Sequence, residues 1–235
     1  MKTILCYGDS NTWGYDPVAT ATSAFPRRHA HDVRWTGVLA RELGPGYRVV
    51  EEGQNGRTTV HDDPIMGNRN GRKYLPACLE SHKPIDLVVL MLGSNDLKMM
   101  FNLPAGEIAA GAGQLVKMIR QSEAGVEATA PPVLLLCPPP VGDMSHLPDL
   151  DEKFAGVADK AKRFPQHYAA VAQQHGCAYL NTQTIVTPST VDALHLEAGE
   201  HEKLGKAVAA KVKSVLGERG NANLTTEAQR VIIRN

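Results

Sequence analysis

Five short apolar runs, at residues 3–7, 47–50, 85–92, 133–137 and 177–180, punctuate this chain, and polar or glycine-rich motifs follow four of them. The third run, Ile-Asp-Leu-Val-Val-Leu-Met-Leu, is nearly continuous and stops at Gly93. A strand that is apolar at both parities is buried on both faces, as in a parallel sheet covered by helices. Its shortness and the glycine stop favour a strand over a buried helix. Helical spacing fills the intervals, over residues 32–43, 104–122, 151–175 and 197–216. In the first of these Val33, Trp35, Val38, Leu39 and Leu43 recur mostly every three to four residues, and Gly44-Pro45-Gly46 stops the pattern. Pro165 is expected to break or kink the third. Strand alternating with helix predicts an α/β fold with βαβ units and a parallel sheet.

A length of 235 residues suits one such domain, over 1–217, followed by a polar tail over 218–235 that either docks or dangles. Residues 16–30 and 62–76 read as long loops. A third such segment opens at Pro138-Pro139-Pro140 and runs to about Leu150. Connections of that length in a compact domain are often functional.

Charge and composition narrow the field. Lys+Arg and Asp+Glu both number 25, so no excess of either sign argues for nucleic acid or an anionic membrane as partner. No stretch approaches the roughly 18 apolar residues of a membrane span. The first apolar run is shorter than the roughly 7–15 residues of a secretory signal core, which makes the cytoplasm the expected location. Cys6, Cys78, Cys137 and Cys177 form no C-x-x-C pair, and Cys6 and Cys137 read as small core residues. Apart from His195, the histidines, His201 among them, show no metal-ligand spacing and read as surface or loop residues. Neither phosphate-binding glycine motif is present, so no cofactor and no metal is expected.

The four motifs are Gly8-Asp9-Ser10, Gly53-Gln54-Asn55-Gly56-Arg57-Thr58, Gly93-Ser94-Asn95-Asp96 and Asp192-Ala193-Leu194-His195. In a parallel sheet every strand ends at the same edge, and ligands bind in the crevice beyond it. Residues far apart in sequence then share one cleft. Their types suit acyl transfer. A serine hydroxyl needs a base to take its proton, and histidine is the usual one. A carboxylate fixes the tautomer of that histidine, and Asp192 lies one short turn before His195. The oxyanion formed on a carbonyl needs preorganised donors, which a Gly56 N–H and the Asn95 amide can supply. Each motif alone has an ordinary alternative: a common tripeptide, a turn at Asn95-Asp96, a helix cap at Asp192.

The four motifs, in this order, resemble the signature blocks of the SGNH (GDSL-like) hydrolases. The resemblance implies Ser10 as nucleophile, His195 as base and Asp192 orienting it. It also implies an oxyanion hole from the Ser10 N–H, the Gly56 N–H and the Asn95 side chain. A closer likeness, to the bacterial arylesterase/acyltransferase branch, rests on Leu-Cys-Tyr-Gly-Asp-Ser-Asn-Thr-Trp-Gly, Val-Arg-Trp-Thr-Gly-Val-Leu-Ala and Glu-Glu-Gly-Gln-Asn-Gly-Arg-Thr-Thr. It implies a three-layer α/β/α sandwich around five parallel strands in the flavodoxin-like order 2-1-3-4-5. It also implies a small-molecule ester substrate, such as an aryl ester or acetylated sugar, and assembly into homo-oligomers. Two other readings stand beside hydrolysis: transfer of the acyl group to alcohols or peroxide, and a silent ester- or glycan-binding module. Asn11 departs from the family's Gly-Asp-Ser-Leu, a change expected to touch pocket shape rather than chemistry. Trp13 and Tyr15 either wall the acyl pocket or pack their loop. His146 is expected to border the pocket, and Arg57 reads as an anchor of its loop rather than a pocket residue.

Overall fold

A computed structural model describes residues 1–217; the tail expected over 218–235 lies outside the described residues. The five apolar runs form five strands: β1 (Lys2–Gly8), β2 (Tyr47–Gly53), β3 (Leu87–Met91), β4 (Val133–Cys137) and β5 (Ala178–Asn181). All pair in parallel in the order β2-β1-β3-β4-β5. Nine α-helices among the described residues connect and cover them: α1 (Ser10–Trp13), α2 (Pro17–Ala21), α3 (Trp35–Leu43), α4 (Gly71–His82), α5 (Ala105–Arg120), α6 (Pro148–Lys153), α7 (Val157–Ala161), α8 (Phe164–His175) and α9 (Ala198–Val215).

Alternate strand residues enter opposite cores, which explains why the runs are continuously apolar. Ile4, Cys6, Leu87, Val89, Leu134 and Leu136 pack on the side of α3 and α9. Leu5, Tyr7, Val88, Leu90, Leu135 and Cys137 pack on the side of α4, α5 and α8. The three-layer sandwich therefore follows from burial at both parities. Among the described residues no helix is long and apolar enough to cross a membrane.

Local structure differs from the sequence expectation in several places. Residues 17–21, inside the loop expected over 16–30, form α2, with the Asp16 side chain accepting from the Ala19 N–H at 3.0 Å as its cap. Residues 71–82, partly assigned to a loop, form α4 despite Pro76 inside it. The Asn70 side chain caps it by accepting from the Arg72 N–H at 3.0 Å, and Leu75, Cys78 and Leu79 are buried. Burial of that face and the cap outweigh the hydrogen bond lost at the proline. The single helix expected over 151–175 is three, α6 to α8, separated at Gly156 (φ 66°) and near Lys162. Pro165 lies in the first turn of α8, where its missing N–H costs nothing, so it starts a helix rather than kinking one.

His201 is a further correction. It is wholly buried in α9, and its Nδ1 accepts from the Trp35 backbone N–H at 3.2 Å. Burial, helped by the nearby His29, His195 and Arg34, pushes its pKa down to about 3. In the unfolded chain the ring regains the ordinary value of about 6.5. Because the folded pKa is the lower one, the stability is complete above about pH 6.5 and drains as pH falls toward 3. The variant His201→Gln cannot titrate. The stability gap between wild type and variant, from urea midpoints, is expected to narrow by roughly 2–3 kcal/mol between about pH 7.5 and pH 4.5. A gap that stays constant would mean that burial does not hold the ring neutral.

Candidate active site

The C-terminal end of β1 turns sharply into α1 and sets Ser10 at the first helical position. Asp9 caps the turn, its carboxylate accepting from the Asn11 N–H at 3.0 Å. Gly8 is required there, since a Cβ would collide with the Thr12 side chain. Burial raises the Asp9 pKa to about 6, against the opposing pull of the Asn11 N–H, His195 and Arg57. As the first residue of α1, Ser10 has a backbone N–H with no intrahelical acceptor, free to meet a ligand.

His195 approaches from the loop before α9. The carboxylate of Asp192 organises that loop: Oδ1 accepts from the backbone N–H groups of Leu194 at 3.0 Å and His195 at 2.9 Å. Oδ2 lies 2.6 Å from His195 Nδ1, and His195 Nε2 lies 2.8 Å from Ser10 Oγ. Burial alone would raise the Asp192 pKa; the hydrogen bonds and charge of His195 and the two N–H donors win and hold it below the usual carboxylate range. Tyr15 stacks on the imidazole with ring centroids 3.9 Å apart. Asn11 grips the same loop from both sides. Its Nδ2 donates to the Leu194 carbonyl at 3.3 Å, and its Oδ1 accepts from the Leu196 N–H at 3.1 Å. The residue that departs from the family letters therefore brackets the histidine across 185 positions of sequence.

The second and third motifs supply amides. Residues 54–57 form a turn closed by Arg57 N–H to the Gln54 carbonyl at 3.1 Å. Gly56 has φ of 80°, the left-handed value that a type II turn needs at its third residue. Arg57 is buried and anchors this loop: it donates to the Gly8 carbonyl at 2.8 Å and to the Glu52 carbonyl, and its guanidinium lies 4.2 Å from the Tyr7 ring centroid. Asn95 Nδ2 donates one N–H to the Arg57 carbonyl at 3.2 Å, which orients the amide and leaves its second N–H for a ligand. The neighbouring Asp96 accepts from the Thr59 N–H and hydroxyl and joins His61 Nδ1, so the two motifs are tied together.

Ser10, Asn11, Tyr15, Gly56, Asn95 and His195 line one cavity of about 300 Å³. A nucleophile, a base with its orienting carboxylate, and amide donors at one cavity are a constellation able to attack a carbonyl. Over residues 6–202 the chain matches the model of the GDSL-like lipase/acylhydrolase family. The chain belongs to that family.

Solved structures agree with the assignment of this GDSL-like protein. Est24, a carbohydrate acetylesterase from Sinorhizobium meliloti, is 39% identical, with 92% of this chain and 100% of that chain covered and a TM-score of 0.86. The M. smegmatis aryl esterase is 41% identical over 91% of this chain and 99% of that one, with a TM-score of 0.85. A carbohydrate acetylesterase family member from S. meliloti is 34% identical over 92% and 100% of the two chains, at 0.84. No curated protein matches at a significant level.

Two residues expected at the pocket of the GDSL-like fold are not in its lining. Trp13 ends α1 half-buried beneath the Arg28 guanidinium, 5.1 Å from the ring centroid, and so packs its loop. His146 is exposed, with Nε2 3.1 Å from the Thr190 carbonyl. Met66, Lys98, Leu150, Lys153 and Phe154 are among the residues that line it instead. Sequence reasoning did not single them out. The available signal was position alone: they sit in the segments that follow β2, β3 and β4, at the edge where the strands end.

A larger cavity of about 550 Å³ lies beside the edge strand β2, among Glu52, Arg57, Lys73 and Tyr74. It holds none of the convergent groups around Ser10, and convergence rather than volume marks the site. Next to it Glu52, Cys78 and His82 bring three possible metal donors within 4.8 Å of one another. There His82 Nε2 is 2.7 Å from Glu52 Oε1, and none of the three lines the Ser10 cavity.

Proposed function

We propose that the protein is a serine esterase that hydrolyses short-chain carboxylic esters through an acyl-enzyme on Ser10. The observation that carries this reading is the unbroken series Asp192 Oδ2, His195 Nδ1, His195 Nε2, Ser10 Oγ, with steps of 2.6 and 2.8 Å, opening into a cavity lined by Gly56 and Asn95. The names of its relatives, an aryl esterase and carbohydrate acetylesterases, point the same way.

Ser10 Oγ attacks the ester carbonyl carbon as its proton passes to His195 Nε2. Asp192 keeps the Nδ1 proton in place and stabilises the imidazolium. The negative charge that develops on the carbonyl oxygen faces the N–H groups of Ser10 and Gly56 and the free N–H of Asn95. His195 then protonates the departing alkoxide, leaving the acyl group on Ser10. Water enters, gives a proton to His195 and attacks the acyl carbon; return of that proton to Ser10 Oγ completes the cycle. A volume of about 300 Å³ is at the small end for ligand pockets and favours short acyl groups.

A fluorophosphonate followed by peptide mass mapping tests the reading, alongside hydrolysis of 4-nitrophenyl acetate, butyrate and octanoate. Labelling confined to Ser10 and a rate falling from acetate to octanoate are expected. Hydrolysis that persists while Ser10 stays unlabelled would overturn it.

A further inference from the structure

Among the described residues, the wall of the Ser10 cavity carries two lysines, Lys98 and Lys153, and no carboxylate. The two are not equivalent. Lys98 is buried and its Nζ lies 2.8 Å from Asp63 Oδ2, with both side chains almost fully enclosed. Asp63 is fully engaged, since its other oxygen accepts from the N–H groups of Ile65 and Met66. That pair is neutral in sum. Lys153, at the end of α6, is exposed and forms no ion pair among the described residues. Asp149 stands one turn before it on α6, yet neither Asp149 nor Asp151 nor Glu152 pairs with it or lines the cavity. The Asp192 carboxylate lies behind the imidazole ring, hydrogen-bonded there. The backbone holds Lys153 in place: its carbonyl accepts from the Met99 N–H at 2.9 Å, which ties the end of α6 to the loop that carries Lys98.

One cation with no ion-pair partner among the described residues therefore faces a partly enclosed space that opens on Ser10. A cleft lined by one sign of charge concentrates ligands of the other sign and speeds their arrival. Partial enclosure and the repulsion of Lys98 lower the Lys153 pKa while Asp63 raises it; the charge of an anionic ligand offsets both lowering effects. We propose that the cavity selects esters bearing a carboxylate away from the scissile bond, held by the Lys153 ammonium; this rests on the serine-esterase reading above.

The carboxylate can sit on the acyl or the alcohol side, and paired substrates separate the two. Mono-4-nitrophenyl succinate against 4-nitrophenyl butyrate tests the acyl side. 4-Acetoxybenzoate against its methyl ester tests the alcohol side. In one of these pairs, the ratio of kcat/KM for the anionic over the neutral ester is expected to fall about 3–10-fold in Lys153→Met, which keeps the apolar stem. The same ratio should fall further in Lys153→Glu and shrink in wild type as salt is raised. A ratio untouched by Lys153→Met in both pairs overturns the proposal. If wild type hydrolyses none of the four esters, the esterase reading itself fails. Calorimetric binding of succinate and 4-hydroxybenzoate then decides the cation site separately. Weaker binding to Lys153→Met supports it, and equal binding, or none to either protein, overturns it.

Discussion

Ser10→Ala is expected to lower kcat for 4-nitrophenyl acetate by a factor on the order of 10³–10⁶, the usual cost of removing the nucleophile from a unit that acts together. The size follows from what remains. Without Oγ, His195 Nε2 has no serine proton to take, and hydrolysis must proceed by direct attack of water on a carbonyl held among the amide donors of Ser10, Gly56 and Asn95. Those donors keep a residual rate above that in water alone. Binding should change little, because the hydroxyl contacts the substrate only in the chemical step, so KM is expected to stay within a few-fold. Steady-state kinetics with a thermal melt on the same sample checks both. The substitution removes one oxygen from a nearly buried position, and the fold should survive it. A rate within about tenfold of wild type would mean that Ser10 is not the nucleophile.

Asp192→Asn is expected to cost on the order of 10⁴ in kcat while leaving the loop in place. The two carboxylate oxygens have separate tasks. Oδ1 accepts from the backbone N–H groups of Leu194 and His195, and Oδ2 accepts from His195 Nδ1. In the asparagine variant the amide oxygen can keep the backbone contacts, and the NH₂ group then faces Nδ1 as a donor. The imidazole must answer with the other tautomer, in which Nε2 carries hydrogen and points it at Ser10 Oγ. A base in that state cannot take the serine proton. The distinguishing measurement pairs kcat with thermal stability. A fall in kcat of the expected size, with a melting temperature near wild type, assigns the loss to the tautomer. A rate near wild type would show that the Asp192–His195 contact is not needed for proton transfer.

Much of this was legible in the chain. Residues 3–7 and 85–92 are short and apolar at both parities, as a doubly covered strand requires, and β1 and β3 lie inside the sheet with alternate residues in opposite cores. Once the strands are parallel, their ends must share an edge, so Ser10 and His195 were placed together although 185 residues separate them. Periodicity was weaker where burial overrode local preference. Residues 62–76 read as a loop, yet Leu75, Cys78 and Leu79 supply enough buried surface to form α4 from Gly71 onward. His201 shares the helical spacing of Leu204, Val208 and Val212 on the inner face of α9, a signal that its residue type alone does not give and that the surface reading passed over.

The site divides in the same way. The sequence by itself determined the layer architecture, the order of the four motifs and the residue types available for acyl transfer, because strand parity, turn chemistry and proton-transfer chemistry are local properties. Only the tertiary structure decided that Asn11 grips the loop on both sides of His195, that Trp13 and His146 stand outside the cavity, and that Lys98 is matched by Asp63 while Lys153 is not. Those outcomes depend on where the long connections after β1, β2, β3 and β4 come to rest against one another. Their positions are set by hydrogen bonds and ion pairs between distant segments, and no periodicity in the chain encodes such pairings.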